Sequence, residues 1–149
     1  MDRNIRGMIA GAIGGITMNI WSFFSYHALG FAKLRFPDWS SLMIFEKKPE
    51  SLSMFIIALL TQLAWSGFLG ALFAHAIPLI SSKGYLIKGA FYGFLASFLI
   101  YVIPTLFQHP IHEIFDFGTV VTDIIGGVIW GITTVVVLKY LDDKITTKV

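Results

Sequence analysis

Residues 7–29 read GMIAGAIGGITMNIWSFFSYHAL, and this stretch decides the fold class. It holds no Asp, Glu, Lys or Arg. At about 1.5 Å per residue it is long enough to cross the roughly 30 Å hydrocarbon core of a bilayer as one helix. Three further stretches have the same character, at about 54–78, 86–107 and 118–139, with formal charges only at Lys88, Asp123 and Lys139. Together the four account for more than half of the 149 residues. They predict an all-α integral membrane protein: a single transmembrane domain over 1–149, folded as a four-transmembrane-helix bundle. A membrane barrel is excluded, because it needs at least about eight strands of alternating polarity and no such alternation appears.

Composition agrees. The chain is 56% apolar and 13% charged, with a formal net charge of +2 and a mean hydropathy of +0.75. Soluble domains carry about 25% charged residues, so a soluble enzyme, a nucleic-acid binder or a disordered chain is not expected. The absence of Cys removes disulfides, thiolate zinc sites and thiol nucleophiles.

Lys and Arg counts set the orientation. Seven lie at the amino terminus, in the 80s loop and in the carboxyl tail; four (Lys33, Arg35, Lys47, Lys48) lie in the loop between the first two spans. Both termini are therefore expected in the cytoplasm. The first span follows Arg3 and Arg6 like a signal peptide, but its apolar run exceeds the 7–15 residues of a signal peptide's hydrophobic region, so it is expected to be retained.

The spans also pair as a tandem repeat of a helical hairpin. An offset of 82 lays Gly7, Gly11, Gly15, Asn19 and His27 on Gly89, Gly93, Ser97, Tyr101 and His109. An offset of 61 lays Thr61-Gln62 on Thr122-Asp123, Ser66 on Gly127 and Gly70 on Gly131. The two offsets differ by an insertion of about 21 residues in the first outer loop, at about 31–52. There Pro37-Asp38 opens a short helix and Pro49 limits it. Its mixture of aromatic residues with Lys and Glu suits either an anchor lying in the headgroup layer or a lid over a site.

Within lipid, helices associate where small residues let their backbones approach. Four such ridges are expected: Gly7, Gly11 and Gly15; Gly89, Gly93 and Ser97; Ser66, Gly70 and Ala74; Gly127 and Gly131. They serve packing inside the protomer or a homo-oligomer. Polar residues continue the same ridges, so Asn19, Gln62, Tyr101, His27 and Asp123 should face neighbouring helices and are the candidate ligand- or ion-binding residues.

Asp123 is the most informative of these, because a carboxylate at a span centre costs about 2.5–3.5 kcal/mol on insertion scales. It either fastens its helix to Asn19 or the outer loop, or takes part in an ion, proton or ligand site. His109, His112, Glu113 and Asp116 have spacing and donor types that suit a divalent metal, although Pro110 interrupts them and exposed interfacial histidines are the plainer reading. His27 with His109 is the one pair that would suit a bis-His haem; otherwise no cofactor is expected. No catalytic motif is present.

The opening RGMIAGAIGGITMNIWSFF, the aromatic outer loop, the segment KGAFYGFLASFLIYVIP and the ending VLKYLDD resemble bacterial four-span membrane proteins of the YqhR type, and more loosely the YagU type. The resemblance implies a bacterial cytoplasmic-membrane location and assigns no role to any residue. Two functions stay open. One is an accessory or structural subunit partnered by lipid, by its own copies or by another membrane protein. The other is a small ion, proton or solute transport unit built on an outward-facing polar groove around Asp123.

Overall fold

The computed structural model describes residues 2–76, 84–107 and 116–146. Among them the chain forms five helices and no strand: α1 (Arg3–His27), α2 (Phe36–Phe45), α3 (Leu52–Ala76), α4 (Tyr85–Leu106) and α5 (Phe117–Thr146). Four of these, α1, α3, α4 and α5, are long and apolar enough to cross a membrane and correspond to the four expected spans. The boundaries shift where local chemistry extends the helices. Asp2 caps α1, its carboxylate accepting from the Arg3 backbone N–H, so the helix begins at Arg3. Near the far end of α5, Asp142 pairs with Arg6 at 2.9 Å. That ion pair brings the first turns of α1 and the last turns of α5 to one end of the bundle.

The four long helices stand in the order α3, α1, α5, α4, each packed on the next. Glycine sets the spacing. A Cβ at Gly11 would run into the Ser66 carbonyl and Gly70 Cα, and one at Gly93 into the Gly127 carbonyl and Gly131 Cα. Backbone touches backbone at both places, which only a residue without a side chain permits.

The two hairpins use one register. Gly7 meets Gly70 and Ala74, Gly11 meets Ser66 and Gly70, and Gly15 meets Ser66. In the other hairpin Gly89 meets Gly131 and Val135, Gly93 meets Gly127 and Gly131, and Ser97 meets Gly127. Each pair in the first becomes its counterpart in the second under the offsets of 82 and 61. Opposite the ridge of α1, Ile5, Ile9, Ile13, Ile16, Ile20 and Phe24 stay exposed at helical spacing. Such an apolar outer face is compatible with an integral membrane protein.

The fifth helix, α2, is the short one that Pro37-Asp38 opens, apart from the four long helices. Segment 31–52 leaves Phe31, Met43 and Ile44 exposed and turns other aromatic residues inward. Helix α2 docks onto the bundle, and its Phe36 and Trp39 enter the same core cluster as Met18 of α1 and Trp130 of α5. It ends at Glu46, which takes a left-handed conformation (φ 58°), well before Pro49.

Candidate functional site

The dock is built from hydroxyls. Where α1 ends and α5 begins, Ser22, Ser25, Thr119 and Thr122 are all fully buried. Asp116 accepts from Thr119 Oγ1 and from the Thr119 backbone N–H (3.3 Å), as an N-terminal cap does. Thr119 Oγ1 in turn accepts from the backbone N–H of Lys33 (2.9 Å) and Leu34 (3.3 Å). Ser22 Oγ accepts from Phe36 N–H (3.2 Å). These bonds satisfy the backbone of the incoming segment, which would otherwise be buried without partners.

The sequence Arg35-Phe36-Pro37-Asp38-Trp39 then sets the direction of α2. Pro37 suits a first helical turn, where its missing N–H costs nothing. The buried Asp38 carboxylate accepts from the Arg35 backbone N–H (2.8 Å) and from both Nε (3.0 Å) and Nη2 (2.8 Å) of the same residue. The Arg35 guanidinium is held over the rings of Phe23, Tyr26 and Phe55, 5.1–5.4 Å from their centroids. So fixed, the helix aims Trp39 inward.

Trp39 reaches Asp123. Its indole N–H donates to Asp123 Oδ2 at 2.9 Å, and the Tyr101 hydroxyl donates to the same oxygen at 2.5 Å. The two rings meet edge to face, 5.7 Å apart. Asp123 has no solvent exposure, and its Oδ1 has no hydrogen-bond partner. One carboxylate thus ties α2, α4 and α5 together.

A second polar pair occupies the equivalent place in the first hairpin. Asn19 Nδ2 donates to Gln62 Oε1 (2.8 Å), and Gln62 Nε2 donates to Ser66 Oγ (3.1 Å). The offset of 82 carries Asn19 to Tyr101, and the offset of 61 carries Gln62 to Asp123. The hydrogen bonds are counterparts, with an amide pair in one hairpin and a phenol–carboxylate pair in the other. Asn19 Oδ1 is buried and unpartnered, like Asp123 Oδ1.

Between α3 and α4 lies a crevice of about 340 Å³. The two helices touch where the Tyr92 ring stacks on Phe73 (centroids 4.5 Å apart) and its hydroxyl donates to the Leu69 carbonyl (3.1 Å). Beyond that contact they part, and α2 forms the roof through Trp39, Ser40, Met43 and Ile44. Met18 and Trp130 close the back, and Gln62, Ser66 and Ser97 contribute a few polar atoms to an otherwise apolar wall.

The structure therefore brings Asn19 to Gln62 and Tyr101 to Asp123, but it does not join the two pairs. Asn19 is not the partner of Asp123, because its amide is engaged by α3. His27 is exposed and packs on Phe23 and Tyr26 instead. His109, His112 and Glu113 lie outside the described residues, so the metal cluster and the second histidine of the haem pair lie there too. Asp116 serves as the cap of α5. Among the described residues no three His, Asp or Glu side chains gather as metal ligands.

Sequence reasoning missed Trp39, the Arg35–Asp38 clasp and the Ser22, Ser25, Thr119 and Thr122 hydroxyls. The signal for Trp39 and the clasp was FPDW, an N-terminal helix signature with an aromatic residue directly after its acid. Compared with known proteins, the chain matches no protein-family model, no curated protein and no solved structure.

Proposed function

We propose that the chain is an integral protein of a bacterial cytoplasmic membrane, made of two tandem hairpins with both termini in the cytoplasm. In this reading it is an accessory or structural subunit without enzymatic chemistry or a cofactor, working through its apolar helix faces on lipid, on its own copies or on another membrane protein. One observation carries the reading: the carboxylate within a span is sealed, with Trp39 and Tyr101 on a single oxygen and no exposure. A group built to pass ions needs access; a group built to fasten three helices needs donors.

A transport unit around Asp123 is the second reading. The unpartnered Oδ1 atoms of Asp123 and Asn19 favour it, because a cation or water would satisfy them.

One experiment separates the two. Proton and alkali-cation flux is measured in liposomes, beside thermal melting, for the parent, Asp123→Asn and Asp123→Leu. The structural reading expects flux no greater than in empty liposomes, near-parental melting for Asn, and a clear loss for Leu. Flux in the parent that disappears in a well-folded Asp123→Asn protein overturns it. Orientation is checked by reporter fusions, which should place residue 149 and the 81–88 loop inside and segment 31–52 outside.

A further inference from the structure

We infer that the crevice between α3 and α4 seats one acyl chain of a bilayer phospholipid. The inference rests on the membrane reading above and adds a specific ligand to it.

The wall is the first reason. Ala96, Ile100, Leu69, Met18 and Trp130 present almost only carbon to the space. Its rim is formed by Trp65, Met43, Ile44, Leu99 and Ile103, which are all exposed. The opening is thus sideways, between two helices whose outer faces are apolar. An unfilled apolar void forfeits the dispersion contacts of every atom that lines it. In a bilayer the material at that opening is hydrocarbon chain.

Size is the second reason. A helix about 10 Å across occupies roughly 420 Å³ per turn, more than the whole crevice of about 340 Å³. A whole helix therefore does not fit inside and a partner could insert only side chains, whereas part of a single unbranched chain can lie along the crevice. A free fatty acid offers the same chain with a carboxylate, so the test includes it as a separate arm.

The protein is reconstituted in phosphatidylethanolamine/phosphatidylglycerol vesicles. These are doped with phosphatidylglycerol bearing a diazirine midway along one chain, or in a parallel arm with a diazirine fatty acid. After illumination, labelled positions are mapped by mass spectrometry. The expected result is phospholipid labelling at Ala96, Ile100 and Met18, besides the outward-facing Ile20 and Phe91. Ala96→Trp fills the space and should lose the label at Ile100 and Met18 while Ile20 and Phe91 keep theirs, which also shows that the variant is still folded in the vesicle. Ile100→Trp is the second filling variant should Ala96→Trp fail to reconstitute. Labelling confined to outward positions, or unchanged by both filling variants, overturns the inference and leaves the membrane reading standing. Labelling inside the crevice by the fatty acid but not by phospholipid also overturns it. No label anywhere overturns the membrane reading and the inference together.

Discussion

The seam between α1 and α5 and the gap between α3 and α4 are equivalent places in the two halves of this molecule, yet only the seam is closed. The offsets carry Gly14 to Ala96, Trp130 to Leu69, Gly126 to Trp65 and Thr134 to Phe73. In the seam, Gly14 lies directly against Trp130 and Thr134, and Gly126 lies against Phe36 and Met18. In the gap, an alanine and a half-exposed Trp65 stand at the matching positions, and the Tyr92 ring props the helices apart against Phe73. Closeness then decides polarity. Across the seam the Trp130 indole reaches the Gly11 carbonyl (2.9 Å), Thr17 reaches Thr133 (3.1 Å) and Ser25 reaches Thr122 (2.6 Å). Across the gap the Tyr92 hydroxyl reaches the Leu69 carbonyl (3.1 Å) where the helices touch, and beyond that contact the walls stand apart and are largely apolar. The difference teaches that one or two glycines decide whether a helix pair becomes a polar joint or an apolar crevice.

The strongest way to break this comparison is Gly14→Leu. A Cβ there already meets Thr134 Oγ1, Trp130 Cδ1 and the Trp130 carbonyl at 2.5–2.9 Å. The carbonyl is backbone and cannot swing away, so the seam must separate along its length. Overpacking ordinarily costs about 1–3 kcal/mol, and this position should reach or exceed the upper end. Thermal melting in detergent checks it; a near-parental midpoint would mean that the seam is not close-packed.

Trp39→Phe should come next. It keeps the ring in the core and removes one of the two donors on Asp123 Oδ2, at a cost of roughly 1–3 kcal/mol for a buried polar group left short of partners. Because the lost bond joins α2 to α5, the effect should be local. Amide exchange over 36–45 should quicken more than exchange in α1 or α5. Equal change across the bundle would mean that α2 is not a separable dock.

Gln62→Leu tests the counterpart pair and should cost less, about 1 kcal/mol, since interhelical hydrogen bonds within membrane proteins average about 0.6 kcal/mol. It breaks an amide contact between two helices that five small-residue contacts already hold together. Melting of Gln62→Leu below that of Trp39→Phe would reverse the ranking of the two polar joints.

These rankings also show what sequence could and could not reveal. Gly7, Gly11, Gly15 and their counterparts were legible because close approach of two helices leaves a four-residue spacing of small side chains. Gln62 and Asp123 were legible because polar groups continued those ridges. The docking of α2 was not. Phe36 and Trp39 among charged residues have the composition of a headgroup-layer segment, and a ten-residue helix is too short for periodicity to identify its inner face. The unclaimed hydroxyls Ser22, Ser25, Thr119 and Thr122 were the better clue, because hydroxyls at adjoining helix ends need backbone or side chains to bond. The gap was hidden for another reason: Ala96 and Trp65 read as ordinary span residues, and only the partial match of the repeats marks where the second seam fails to form.

Ala96→Leu should have the smallest effect, and it sharpens the comparison most. It places in the gap the side chain that Gly14→Leu places in the seam, at the position that the offset of 82 makes equivalent. Ala96 lines the crevice and packs beside the core cluster, so the added carbons should extend into the crevice. They replace void by contact with apolar neighbours such as Ile100 and Leu69, a gain that offsets the rotamer freedom lost by one leucine, about 0.5–1 kcal/mol. The net change in stability should fall within about 0.5 kcal/mol of zero, read as a melting midpoint close to the parent's. If Ala96→Leu instead destabilises as strongly as Gly14→Leu, α3 and α4 close on each other as α1 and α5 do. The crevice would then not be a property of the folded protein.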